Sequence, residues 1–397
     1  MKACGVIAEY NPFHNGHAYH LEEARKQTGA DVMVVVMSGN FLQRGEPAII
    51  DKWTRAELAI TAGADLVVEL PVDYSVQPAD YFAEGAVSIL NALGCNVISF
   101  GSEQGESEAF KKAAEEYLEN EQVINEKFKC QMKQSEHYAK NFSRVLDELY
   151  EDFPVDLSRP NNVLGFSYAK EIIRHEYPIK LHTVHRLHSD YNEVVLNPAV
   201  AIGSATAIRK ILTDETGSWD QIKKYVPEET FKFLQSERLV TWNDFFPYLR
   251  YQIAVQSLSE LQSIYLMEEG LQYRIKEKIG QAASMTEFLE LLKTKQLTWT
   301  RLQRICYHIL MNNKKSDIKK RQKKIPAVRL LGFNAVGQRY MNEHKAEFSI
   351  PLVSNVKKKQ AGLFYEDIRA GSVYRLASIE EIKHQDYYRK PVNLIDK

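Results

Sequence analysis

Four short apolar runs, each followed by a helix-forming stretch, constrain the fold of this chain more than any other feature. The runs are Cys4–Glu9, Asp31–Met37, Leu66–Leu70 and Asn96–Phe100. Asp31–Met37 reads DVMVVVM without polar alternation, as a strand covered on both faces does. The first intervening helix carries His17, Leu21 and Ala24 on one face and ends at Gly29. The second, Lys52–Ala62, has Asp51 in N-cap position, and the third, Ala79–Leu93, stops at Gly94. Such alternation predicts an α/β fold with a doubly wound parallel sheet and right-handed crossovers.

After the fourth strand the pattern changes. Residues of about 105–158 are polar and helix-forming, which reads as a helical insertion. Alternation resumes with a helix over Asn161–Arg174, a strand over Lys180–Arg186 and a helix over Ser204–Leu212. Beyond about residue 220 the stretches Phe231–Leu234, Trp242–Leu258, Glu269–Ile279 and Met285–Leu292 read as helical, and Ala327–Ile382 mixes strand and helix signals. The expected division is a catalytic unit over 1–218 and a mainly helical, basic unit over 219–397, a size range ordinary for domains.

Charge is divided in the same way. The whole chain carries a net −1, yet residues 301–397 hold 21 Lys and Arg against 9 Asp and Glu. A basic surface of this kind suits a polyanion. The longest apolar stretch, Val32–Met37, is too short to cross a bilayer. The four cysteines are scattered, with no CxxC pair, and are expected to be buried, reduced thiols in a cytoplasmic protein.

The chemistry is concentrated in YNPFHNGHAYHL, Tyr10–Leu21, between the first strand and the first helix. Ligands of open α/β sheets bind at the carboxyl ends of strands, and helix N-termini favour anions. His14 and His17 are spaced to face one spot, and Gly16 lets a ligand approach the backbone. Imidazoles with free N–H groups stabilise charge developing on a phosphate. A second segment, Gly203–Arg209, places hydroxyls at a helix start ahead of Arg209.

HNGH resembles the HxGH signature of the nucleotidylyltransferase superfamily, and Ser204, Thr206, Ile208 and Arg209 match its Ile-Ser-Ser-Thr-x-Ile-Arg signature, from which Gly203 and Ala205 depart. The resemblance implies a Rossmann-like sheet, with His14, His17 and Arg209 catalytic. It extends the ATP contacts over Ile7, Ala8, Glu9, Tyr10, Asn11, Pro12, Phe13, Asn15, Gly16 and His20. Further expected contacts are Gly101, Glu103, Asn162, Arg186, Leu187, Ser204 and Thr206. The loop Ser38–Arg55 faces the second substrate in this fold, making Arg44, Lys52 and Arg55 candidates for a carboxylate or pyrophosphate; helix capping by Asp51 with solvated Lys52 and Arg55 is the competing reading.

The words YNPFHNGH, SGNFLQRGEPA, DKWTRAELA, GADLVVELP and FGSE occur in this order and are similar to the bacterial tRNA(Met) cytidine acetate ligase family. That resemblance implies activation of acetate by ATP as acetyl-adenylate, with Mg²⁺, and acetyl transfer to N4 of the wobble cytidine of elongator tRNA(Met). Candidate tRNA contacts are Lys314, Lys315, Lys319, Lys320, Arg321, Lys323 and Lys324, with Lys357–Lys359. Tyr340, Phe364, Tyr365 and Tyr374 are candidates to stack a base. Two alternatives stay open: adenylyl transfer to a phosphorylated metabolite, and a non-catalytic RNA-binding protein with a relic nucleotide site.

Overall fold

The computed structural model describes residues 1–103, 106–131, 138–186, 201–214, 217–378 and 385–395. The first half alternates as expected: β1 (Ala3–Ala8), α1 (Asn15–Thr28), β2 (Val32–Ser38), α2 (Lys52–Thr61), β3 (Leu66–Leu70), the short α3 (Val72–Ser75), α4 (Ala79–Ala92) and β4 (Val97–Ser102). Next come α5 (Ser107–Glu119), α6 (Glu121–Gln131), α7 (Tyr138–Leu149) and α8 (Pro160–Arg174), then β5 (Lys180–His185) and α9 (Ala205–Thr213). β1 pairs in parallel with β2 on one side and β4 on the other, and β3 and β5 extend the two wings in parallel. The winding therefore reverses between β1 and β4, where two strand ends diverge and leave a crevice. Every residue of β2 is buried, which explains its unbroken apolar run.

The inserted helices are not a detached appendage. Phe110 and Tyr117 of α5 pack with Phe166 of α8 and Phe100 of β4 in the same core as Val34 and Leu90.

The C-terminal half departs from the expected division. Its helices are α10 (Glu228–Ser236), α11 (Trp242–Val255), α12 (Leu258–Gln262), α13 (Leu271–Lys278), α14 (Met285–Leu292), α15 (Trp299–Leu310) and α16 (Lys315–Arg321). Beyond them β6 (Val328–Asn334) returns to the first sheet, antiparallel to β3. It is followed by α17 (Ala335–His344), β7 (Leu352–Val353), α18 (Tyr365–Tyr374), α19 (Gln385–Tyr388) and β8 (Val392–Leu394). The order is β5-β4-β1-β2-β3-β6-β7, with β8 also on β6. The sheet is thus mixed and mostly parallel. Pairing β6 with β3 covers an apolar edge that would otherwise present open backbone groups.

Packing also crosses residue 218. Phe231 and Leu234 of α10 share a core with Phe13 and Trp53. Phe41, between β2 and α2, packs on Tyr307 of α15 at 4.9 Å and Phe245 of α11 at 5.8 Å. No helix among the described residues is long and apolar enough to cross a membrane. Cys4, Cys95 and Cys306 are buried thiols as expected; Cys130 is exposed.

Candidate active site

The loop after β1 is set from below. Tyr10 takes a left-handed backbone (φ 51°), and Asn11–Pro12 is a cis peptide. The Asn11 side chain accepts the Ile49 N–H at 2.7 Å, and the Phe13 ring is buried 4.7 Å from that of Tyr10. Asn15 donates to the carbonyls of Ala201 and Lys224 at 2.9 and 2.8 Å, tying the start of α1 to the segments before and after α9. Asn15, Pro12 and Phe13 therefore shape the loop and do not line the cleft.

His14 is the N-cap of α1. Its Nδ1 accepts the Gly16 N–H at 3.1 Å, while Nδ1 of His17 accepts the His14 N–H at 3.3 Å, a reciprocal capping box built from two imidazoles. A Cβ on residue 16 would lie 3.0 Å from the His14 ring, so glycine lets this cap close. The two rings stack with centroids 3.7 Å apart. A neutral imidazole whose Nδ1 accepts must carry its proton on Nε2. Burial, then Arg186 and Arg209, push His14 down to about 3; burial, then His14 and Arg186, push His17 well below the usual range. At neutral pH both rings are uncharged Nε2–H donors lining the cleft.

His20 is fixed by a longer chain. Gln27 donates its amide to Glu23, which turns its Oε1 toward His182 Nε2 at 3.1 Å. Nδ1 of His182 then accepts from Ser99 Oγ at 3.0 Å, and Ser99 Oγ accepts from His20 Nε2 at 3.2 Å. Nδ1 of His20 is left as an acceptor. Burial, helped by Arg186, lowers His20 to about 4.

The other walls converge on the same space. Ser204 caps α9 through the Ala207 N–H at 3.0 Å, and Ser204, Ala205 and Thr206 line the cleft opposite the start of α1. Two helix N-termini therefore point positive ends into one crevice. Arg209 is held by the Asn11 carbonyl at 2.7 Å and the Glu46 carboxylate at 3.1 Å. Across from it the stem of Arg186 lies over Gly101, where a Cβ would come within 3.3 Å of it. Phe82, Phe100, Leu164 and Tyr168 give the β4 side an apolar wall suited to a base.

Of the residues expected from sequence, Ile7, Ala8, Glu9, Tyr10, Asn11, His14, Gly16, His17 and His20 line the cleft. So do Arg44, Gly101, Arg186, Ser204, Thr206 and Arg209. Leu187 lies outside the described residues. Asn162 is turned inward, bonded to Ser102 Oγ at 3.2 Å and to the Asp156 carbonyl at 3.0 Å. Its neighbour Asn161 lines the cleft instead and holds the Glu103 carboxylate, which does not. Gln43 and Glu46 also line it; both belong to the same polar loop as Arg44.

Lys52 and Arg55 are corrections. Lys52 is 1% exposed, with Nζ 2.7 Å from Glu69 and 2.6 Å from Asp386, a cluster that Arg329 completes. Arg55, fully buried, donates to the carbonyls of Glu9 at 2.6 Å and Ser38 at 3.1 Å, and to those of Gly39 and Ile50. Neither reaches the cleft. They brace the loop from behind.

The basic surface divides likewise. Lys319, Lys320, Lys323, Lys324 and Lys357–Lys359 are exposed. Arg321 is instead bound to Asp73 at 2.8 and 3.0 Å and to Glu366 at 3.1 Å. Lys314 and Lys315 donate to the carbonyls of Glu260 and Gln262. Tyr340, Phe364 and Tyr374 are core residues; Tyr365 is exposed.

Comparison with known proteins shows the family. A family model described as HIGH Nucleotidyl Transferase matches residues 1–389. A tRNA(Met) cytidine acetate ligase of Bacillus licheniformis is 43% identical over 99% of this chain and 97% of its own, and one of Anoxybacillus flavithermus is 44% identical over 92% of each. The crystal structure of Thermotoga maritima TmcAL bound with alpha-thio ATP superposes with a TM-score of 0.91 at 30% identity, covering 100% of both chains. The chain therefore belongs to the HIGH nucleotidyl transferase family, among the tRNA(Met) cytidine acetate ligases.

Proposed function

We propose that this protein is an ATP-dependent ligase that activates acetate and acetylates N4 of the wobble cytidine of elongator tRNA(Met). The observation that carries the first step is the pair of neutral imidazoles, His14 and His17. Backbone bonds lock their Nε2–H donors between two helix N-termini. Adenine and ribose belong over Gly101 and the apolar β4 wall, with the α-phosphate at the imidazoles and the β- and γ-phosphates toward Arg209.

Acetate is ionised at neutral pH, as carboxyl groups are, and needs no base to attack the α-phosphorus. The site has to hold reactants in line and stabilise charge on the phosphoryl oxygens and on departing pyrophosphate. Donors already fixed in place do this without reorganising. Mg²⁺ bound with ATP would supply charge neutralisation at the phosphates. Glu46, paired with Arg209, is the protein carboxylate it would meet on that side. The exposed lysines of α16 and Lys357–Lys359 would follow the tRNA backbone, and the reaction belongs in the cytoplasm, where tRNA is.

The test is exchange of labelled pyrophosphate into ATP. Acetate should support exchange in the absence of tRNA; exchange that instead required a phosphorylated metabolite would favour adenylyl transfer to that metabolite. His17→Ala should lower exchange roughly 10²- to 10³-fold, the cost of one oxyanion donor. Its tRNA retention should stay at the wild-type level; equal loss of both would make His17 a structural residue.

A further inference from the structure

Acetyl transfer to an amine releases a proton, and the cleft offers few places to put it. The lone pairs of His14 and His17 are taken by backbone N–H groups. Glu46 is paired with Arg209. His20 and His185 each have an acceptor nitrogen, but both sit on the β4–β5 wall, His20 through its chain to Ser99 and His182 and His185 at the end of β5.

Glu9 is on the opposite wall. It is the residue directly after β1, and it lines the cleft together with Gln43, Arg44 and Glu46 of the loop after β2. Its Oε1 accepts the Gln43 N–H at 2.6 Å and the Ser38 hydroxyl at 3.2 Å. Both of these bonds fall on Oε1, and no hydrogen bond to its Oε2 is present among the described residues. The backbone around it is rigid, because Arg55 donates to the Glu9 carbonyl and Arg304 of α15 donates to the Gln43 carbonyl at 2.7 Å.

We propose that Glu9 Oε2 accepts the N4–H of the acceptor cytosine and takes that proton as the acetyl group is transferred. The assignment rests on the acetate-ligase reading above and names the base of its second step. The N4 lone pair attacks the carbonyl carbon of acetyl-adenylate and forms the C–N bond. The C–O bond to phosphate breaks with its electron pair, and AMP leaves. The proton lost by N4 passes to Glu9 and then to solvent. A carboxylate also accepts from cytosine N4 where it would repel the O4 of uracil, so the same oxygen selects the base.

The electrostatic surroundings suit a base better than a phosphate ligand. Burial pushes the Glu9 carboxyl up, with Glu46 adding to it. The Gln43 N–H, Arg44 and the Ser38 hydroxyl pull the other way, and Arg304 and Arg55 also sense its charge. A raised carboxyl is a stronger proton acceptor when ionised.

Glu9→Gln tests the assignment, since an amide oxygen still accepts from Gln43 and Ser38 but takes no proton. Two rates are measured over a pH series: acetate-dependent pyrophosphate exchange, and single-turnover acetyl transfer from preformed acetyl-adenylate to tRNA(Met). In Glu9→Gln, transfer should fall roughly 10²- to 10⁴-fold, the usual contribution of a general base. The rise of transfer with pH expected of the wild type should vanish, and transfer should fall at least about tenfold more than exchange does. Glu9→Asp, which keeps a carboxylate, should recover part of the transfer rate. Transfer at the wild-type rate in Glu9→Gln overturns the proposal. So does an equal fall in exchange and transfer, which would make Glu9 a nucleotide ligand. Absence of acetate-dependent exchange in the wild type overturns the ligase reading itself.

Discussion

His14 and His17 read clearly in the sequence because their interaction is local. Residues three apart across a helix start meet whatever the rest of the chain does. Their charge state did not read, because it comes from burial and from Arg186 and Arg209, far away in sequence. It has a consequence for stability. Folded pKa values of about 3 for His14 and about 4 for His20 lie below the unfolded value near 6.5, so between these limits the unfolded chain binds protons that the folded chain does not. Stability is therefore complete above about pH 6.5 and is lost as pH falls toward 4 and below. His308 of α15, buried and pushed down to about 3, contributes in the same direction from outside the cleft. Thermal unfolding midpoints should fall steadily from pH 7 to pH 4.5, and His308→Gln should make that decline shallower. A midpoint independent of pH over this range would contradict the neutral-imidazole assignment. Asn161 and Asn162 show the limit of reading single residues. Adjacent residues at a helix start point to different places, and composition does not say which one turns inward.

At the scale of elements, α2 is the instructive case. Asp51 caps it through the N–H groups of Trp53 and Thr54 at 2.7 and 3.0 Å, as its place in the sequence indicates. Lys52 and Arg55 look like solvated or substrate-facing cations in that helix until β6 and α19 are laid over Lys52 and the loop carbonyls of Glu9, Ser38 and Gly39 close on Arg55. Lys52, Glu69, Arg329 and Asp386 come from four separate parts of the chain and are all buried. Breaking such a cluster at one member costs about 3–5 kcal/mol, because the remaining charges lose their compensation. Lys52→Met should therefore lower the unfolding free energy by about that amount. A chemical denaturation series with Lys319→Ala as the surface control checks this. A loss no larger than the control would show that the cluster adds no net stability.

At the scale of the whole molecule, the basic C-terminal third proves to be two separate things. Part of its charge is structural. Arg321 joins α16 to Asp73 after β3 and to Glu366 of α18, bringing the exposed lysines of α16 and the 357–359 run onto connected elements. The exposed lysines are what a polyanion can meet. Replacing Lys319, Lys320, Lys323 and Lys324 by Ala should weaken tRNA binding. The slope of log affinity against log salt should fall by roughly 0.7–0.9 for each phosphate that is no longer neutralised. An unchanged slope would remove α16 from the tRNA surface. Arg321→Ala should act differently and lower stability, because it strips Asp73 of its two-pronged partner and leaves Glu366 with Arg369 alone among the described ion pairs.

The sequence by itself determined what depends on near neighbours. This includes the strand–helix alternation, the apolar run of β2, the Asp51 cap, and the HNGH turn that places two imidazoles at a helix start. Only the tertiary structure decided which charges face the cleft. It laid β6 antiparallel beside β3, sealed Lys52 and Arg55 away from substrate, and paired Glu46 with Arg209. It also left one oxygen of Glu9 without a hydrogen bond among the described residues. These outcomes depend on residues far apart in the chain, more than a hundred positions apart in the Glu46–Arg209 and β3–β6 pairings. Burial and charge compensation arise from everything that packs around a side chain, and no local pattern of residues encodes that surrounding.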